Sequence, residues 1–163
     1  MVDTGGERLT PSHAVKKGRR YRYYVSAALI TDARTDRAQG WRLAAREIEE
    51  AVITILANAL TSPASLVERF GAAGLPSDQL RKLLGRAARM AAALGGPPSE
   101  RAKLVRELVE TIIVDEKILT IKLRGGLLLG GDVPSSASEA ASDSAVELTA
   151  ASDRKSTRLT PVT

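Results

Sequence analysis

The stretch Thr10-Pro11-Ser12-His13-Ala14-Val15-Lys16-Lys17-Gly18-Arg19-Arg20-Tyr21-Arg22-Tyr23-Tyr24-Val25-Ser26 decides how this chain is read. Tyr21 to Ser26 is rich in β-formers. Thr10-Pro11-Ser12 and Lys17-Gly18 carry turn residues that bound short extended pieces, so residues 1–28 are expected to form a hairpin-like β-ribbon. Between Arg8 and Thr31 there are six Lys or Arg and no Asp or Glu, and all three tyrosines fall within positions 21–24. Guanidinium and ammonium groups neutralise phosphates and release counterions, while aromatic rings stack on bases or pack on sugars. Ser12, His13, Lys16, Lys17, Arg19, Arg20, Arg22 and Tyr24 are therefore the candidate nucleic-acid contacts. The competing account is a solvated cationic hairpin whose charges keep its edge from pairing with other chains. Period-2 alternation puts Tyr21 and Tyr23 on one face and Arg20, Arg22 and Tyr24 on the other. The tyrosine face is expected to be core, with Arg20 and Arg22 pointing outward together.

Outward from the ribbon, residues 29–43 are polar and unpatterned and read as a loop. Residues 44–124 then read as a helical region ending in a β-hairpin. From Ala44 to Leu60, Ile48, Val52, Ile55, Leu56 and Ala59 share one helical face, and Glu47, Glu49 and Glu50 sit in the early turns, where carboxylates suit the helix dipole. Ser62-Pro63 caps and opens a short helix with Leu66, Val67 and Phe70, stopped by Gly71. Ser77 is expected to cap the next helix, striped by Leu80, Leu84, Ala87, Ala91 and Leu94 and ended by Gly95-Gly96-Pro97-Pro98. Ser99 is expected to start another, with Leu104, Val105, Leu108 and Val109 inward. Ile112 to Val114 and Ile118 to Leu123 flank Asp115-Glu116-Lys117 as a tight hairpin. Leu119, Ile121 and Leu123 alternate with Thr120 and Lys122, as in a half-buried strand.

The chain changes character after Arg124. Gly125-Gly126 and Gly130-Gly131 read as linkers, without the Lys-Ser/Thr or the strand–turn–helix setting of a phosphate loop. Pro134 to Ser144 is almost entirely Ser, Ala and acid, a composition that cannot bury enough to offset ordering entropy, so residues 125–152 are expected to be a disordered linker. Val146 to Thr149 could form a strand, but nothing after it would complete a sheet. Residues 153–163 look like a translated sequencing-library adapter and are kept out of fold reasoning. Without them the chain loses Asp153, Arg154, Lys155 and Arg158, and the case for a basic protein rests on the N-terminal cluster alone. The expected class is α+β, a small ribbon followed by amphipathic helices and a hairpin.

Composition narrows the chemistry. With no cysteine there is no disulfide and no thiolate zinc site, which fits a reducing, cytoplasmic setting. One histidine cannot build a structural zinc site without three carboxylate partners, so no metal or cofactor is expected. No apolar run approaches a membrane span, and the N-terminus has no hydrophobic signal core. Aromatic residues are only 3%, so the core must rest on Leu, Ile, Val and Ala. A formal charge of +5 favours a polyanionic partner only mildly. No nucleophile–base pair can be assembled: Ser12, Ser26, Ser62, Ser77 and Ser99 read as turn, strand or cap residues, and His13 has no nearby carboxylate. Arg86 and Arg89 could track phosphate, though a solvated helix face accounts for them as well.

The opening run resembles the segment that follows the catalytic domain in bacterial serine-type site-specific recombinases, at the position of their zinc-ribbon. Arg46-Glu47-Ile48-Glu49, Leu108-Val109, Val114 to Ile118 and Thr120-Ile121-Lys122 are similar, in matching order, to that family's later helices and strand pair. The resemblance covers roughly residues 6–124. It implies a double-stranded DNA partner, self-association through the parent recombinase and a bacterial, nucleoid-associated setting. The family's resolvase domain, with its nucleophilic serine, has no counterpart in this sequence, and the four zinc-binding cysteines are missing. The expected role is therefore non-catalytic DNA binding within a recombinase. Two other readings stay open: a stand-alone nucleic-acid-binding adaptor, and a helical protein-interaction module whose basic patch is incidental.

Overall fold

A computed structural model describes residues 1–31, 40–69, 72–115, 118–124, 128, 146–151 and 161–162. The fold is α+β. Two compact units divide the chain, one of Met1–Val52, Thr111–Thr120 and Thr149–Thr163, the other of Ile53–Glu110 and Ile121–Leu148.

In the first unit, strands β2 (Leu9–Lys16) and β3 (Arg19–Ser26) form an antiparallel hairpin from Leu9 opposite Ser26 to Lys16 opposite Arg19. Lys17 and Gly18 make the turn with φ of 51° and 73°. Two successive left-handed residues define the two-residue hairpin turn whose twist matches the flanking strands. Glycine adopts that geometry without penalty; any L side chain is strained there. Gly18→Ala is expected to lower stability by about 1 kcal/mol, read from the urea midpoint at unchanged m-value.

The ribbon gains a third strand where a loop is expected. Residues 29–43 hold the end of α1 (Ala27–Thr31) and most of β4 (Gly40–Ala44), while 32–39 lie outside the described residues. β4 pairs antiparallel with β3, Tyr24 opposite Leu43. Trp41 and Leu43 are buried and Arg42 between them is exposed, a period-2 pattern too short to stand out in sequence. An isolated two-stranded hairpin is marginal in water, and β4 supplies the third strand that steadies this one. A side chain at Gly40 would lie 2.9 Å from Leu29 Cγ, so glycine there lets α1 close onto the sheet. Glu7 Oε1 anchors α1 by accepting the Ala28 N–H at 2.7 Å.

Thr10-Pro11-Ser12 is not a turn but lies inside β2. β2 is the edge of its sheet, where proline's missing N–H is tolerated. Of residues 153–163, Pro161–Val162 (β8) pair with β4, giving the order β2-β3-β4-β8. The free edge of β4 accepts an extended backbone through main-chain groups, which makes no demand on side-chain identity. β1 (Val2–Asp3) pairs in parallel with β5 (Val109–Val114), Val2 opposite Ile113.

Helix α2 (Ala45–Thr61) follows β4 directly and buries Ile48, Val52, Leu56, Ala59 and Leu60, close to the expected stripe. In the second unit, α3 (Pro63–Arg69) opens as read: proline occupies the first turn and Ser62 Oγ accepts the Ser65 N–H at 3.3 Å. The serine cap expected for the next helix is not there, and the helix after it starts at Pro98, one residue before the expected Ser99. Pro76 precedes α4 (Ser77–Leu94) and Pro97 precedes α5 (Pro98–Leu108), each in extended backbone with no side-chain cap bond. Proline's fixed φ sets the entry angle instead. α4 buries Leu83, Ala87 and Leu94, so its stripe is centred nearer Leu83 than Leu84, and it closes with the Gly95 N–H donating to the Ala92 carbonyl and the Gly96 N–H to the Ala93 carbonyl. Phe70 and Gly71 lie outside the described residues.

β6 (Ile118–Leu123) follows β5, with the Asp115 N–H donating to the Ile118 carbonyl at 3.0 Å, and buries Leu119, Ile121 and Leu123 in the expected alternation. Glu116 and Lys117 lie outside the described residues. Val146 does open a strand, β7 (Val146–Ala151), and it joins the order β1-β5-β6-β7. The sheet it completes lies before it in sequence, not after. Within the expected linker 125–152, Leu128 is also fully buried. Pro134 to Ser144 lies outside the described residues. Among the described residues no single helix is long and apolar enough to cross a membrane.

Candidate nucleic-acid interface

The β2–β3 ribbon divides into a root and a tip. At the root Leu9, Val25 and Ser26 are buried. Ser26 is wholly enclosed, and its Oγ accepts the Trp41 N–H at 2.8 Å, which ties β3 to β4. Toward the tip, every residue from Val15 to Arg22 is exposed, as is His13. Both faces meet solvent there.

The register sorts the candidates. His13 is opposite Arg22, and Val15 opposite Arg20; these share a face with Tyr24. Ser12, opposite Tyr23, lies on the other face with Ala14, Lys16, Arg19 and Tyr21. Lys17 is in the turn. His13, Lys16, Lys17, Arg19, Arg20 and Arg22 are exposed; Ser12 and Tyr24 are half-buried. Among the described residues, Lys16, Lys17, Arg19 and Arg20 have no carboxylate within ion-pair distance.

The tyrosines reverse the expected assignment of faces. Tyr21, expected in the core, is 41% exposed. Tyr23 is covered by Arg42, whose guanidinium carbon lies 4.6 Å from the ring centroid. The ring fixed to the body is Tyr24. Its hydroxyl donates to Glu49 Oε1 at 3.2 Å, and Arg22 Nη2 donates to Glu49 Oε2 at 2.8 Å. Alternation alone does not say which side of a ribbon meets a helix that comes later in the chain. Arg20 and Arg22 do share an exposed face, but Arg22 already has an acid partner.

Sequence reasoning missed Glu49 and Arg42. Glu49 read as one of three acids serving the helix dipole. Glu47 lies exposed in the first turn, as that role requires, and Glu50 accepts from Arg46 Nε at 2.8 Å, an i,i+4 pair. Glu49 reaches back to the ribbon, and no local pattern announces a partner 27 residues away. Arg86 is not a solvated face either; its Nη1 donates to the Leu128 carbonyl.

A cleft of about 180 Å³ opens on the ribbon, lined by Ser12, His13, Arg20, Arg22 and Tyr24, with Pro11, Tyr23 and Ala45 closing it. Scans of protein-family models, curated proteins and solved structures found no match to this chain. Among the described residues no group of three His, Cys, Asp or Glu could hold a metal ion. Among the described residues the cleft gathers two guanidinium groups, Arg20 and Arg22, whose charge suits an anion.

Partial burial, and then the adjacent Glu49 carboxylate, raise the Tyr24 phenol above its ordinary value, while Arg22 pulls the other way. A raised folded-state value means that this contribution is complete below about pH 10 and is lost as pH rises through the folded-state value. Wild-type stability is expected to fall more steeply above that pH than stability of Tyr24→Phe, measured by urea unfolding at a series of alkaline pH values. Parallel curves would remove Tyr24 as the titrating group.

Proposed function

We propose that the projecting ribbon binds double-stranded DNA, as the non-catalytic DNA-binding part of a serine-type site-specific recombinase. The observation that carries this reading is a two-stranded ribbon exposed on both faces, with Lys16, Lys17, Arg19 and Arg20 free of acid partners among the described residues. The major groove admits a two-stranded β-ribbon, and cations on both faces of such a ribbon can meet the phosphates that flank the groove. The recombinase assignment rests on the sequence resemblance over residues 6–124.

One observation favours a second reading. Tyr21 presents an exposed ring toward the tip, which suits stacking on unpaired bases and hence a single-strand-binding adaptor. Anisotropy titrations of the full chain with duplex DNA and with single-stranded RNA of equal charge separate the two. Tighter duplex binding is expected. Preference for the single strand, abolished by Tyr21→Ala, would replace this reading with the adaptor.

A further inference from the structure

Resting on the duplex-binding reading, we infer that the cleft lined by Arg20 and Arg22 lies along the phosphate backbone, that Arg22 there receives a phosphodiester group separate from the one met by Arg20, and that Glu49 competes with that group for Arg22. His13, Arg20 and Arg22, on one face of the ribbon, bring an imidazole and two guanidinium groups to one cleft of about 180 Å³. All three can donate hydrogen bonds to an oxyanion. Ala45, the first residue of the 17-residue helix α2, also lines the cleft, so the positive end of the helix dipole adds to the same field.

Arg22 shows how an anion is received at this point. Its Nη2 meets the Glu49 carboxylate oxygen at 2.8 Å, the geometry in which a guanidinium meets a phosphate oxygen. The pair is exchangeable. Its side chains are 64% and 36% exposed, and ion pairs so open to water hold weakly. Glu49 has little else to release, because its second oxygen receives the Tyr24 hydroxyl.

The exchange has a signature in salt. A phosphate neutralised by Arg22 releases a counterion from DNA, while Glu49, losing Arg22, gathers a cation from solution. The two nearly cancel, so Arg22 adds little to the salt dependence of the wild type. Glu49→Gln removes the second process and keeps an oxygen for the Tyr24 hydroxyl.

The test is a double-mutant cycle on the full chain, with wild type, Glu49→Gln, Arg22→Ala and the double variant titrated with one duplex at several salt concentrations. Glu49→Gln is expected to bind several-fold tighter at low salt, with a salt slope steeper by about 0.9. In the Arg22→Ala background the same change should leave the slope unaltered. A slope equal to wild type in Glu49→Gln overturns the inference, as does an equal gain in both backgrounds, which marks Glu49 as a source of general repulsion. Either result with intact duplex binding leaves the functional reading standing; failure of all four proteins to bind duplex removes both. Thermal unfolding of Glu49→Gln checks that the ribbon remains in place.

Discussion

Wild-type binding to duplex DNA is expected to weaken by about 150-fold between 50 and 200 mM salt, a log–log slope near −3.6, as four neutralised phosphates require. The four are the partners of Lys16, Lys17, Arg19 and Arg20, the tip cations without a carboxylate partner among the described residues. Counting Arg22 as well would give about −4.5; its pairing with Glu49 is why the smaller figure is expected. Each Ala substitution at one of the four should reduce the slope by about 0.9, and the quadruple variant should lose nearly all of it. The loss should be similar on unrelated duplexes, because phosphate contacts position without specifying. Folding should be little changed, since these side chains are exposed. A quadruple variant that is folded and still binds with the wild-type slope would reduce the ribbon to a solvated edge and overturn the functional reading.

The largest stability effect is expected at Leu56. Its side chain is fully buried in the middle of α2. Leu56→Ala should cost about 2–5 kcal/mol, from lost transfer free energy and the cavity left behind. Small domains have roughly 5–15 kcal/mol in total, so much of the population would unfold under mild denaturant. The effect is sharpened by a core nearly without aromatic rings, in which leucines supply most of the buried area. Val15→Ala, at a side chain 68% exposed, should stay within about 0.5 kcal/mol of wild type. Urea unfolding of the two variants gives the comparison. A loss below about 1 kcal/mol at Leu56 would mean that α2 does not pack as described.

What could be read from the sequence was local. The ribbon announced itself through β-formers around Lys17-Gly18, and α2 and β6 through clean periodicity. The start of α4 was found at Ser77, though by proline geometry instead of a serine cap. What could not be read depended on distant partners. β4 is five residues long and earns its place only by pairing with β3. Val146 to Ala151 looked unpartnered because its partner strand precedes it across a long polar stretch. At the candidate site the cations were evident as a charge run, but the pairing of one of them with Glu49 was not. A carboxylate in a helix's early turns has a sufficient local explanation, which hid its longer reach.

The buried Ser26–Trp41 hydrogen bond makes the ribbon a cantilever, clamped at one end and bare at the other. A beam held this way deflects least at the clamp and most at the free end. Arg22, nearest the clamp, is held by the body of the unit, whereas Lys16, Lys17 and Arg19 ride at the free end. Ordering them on a phosphate costs more side-chain and backbone entropy, so equal charges along the ribbon give unequal affinities. On the proposed duplex-binding reading, the free end would also gain reach, following a groove that bends or widens while the clamped end keeps the register.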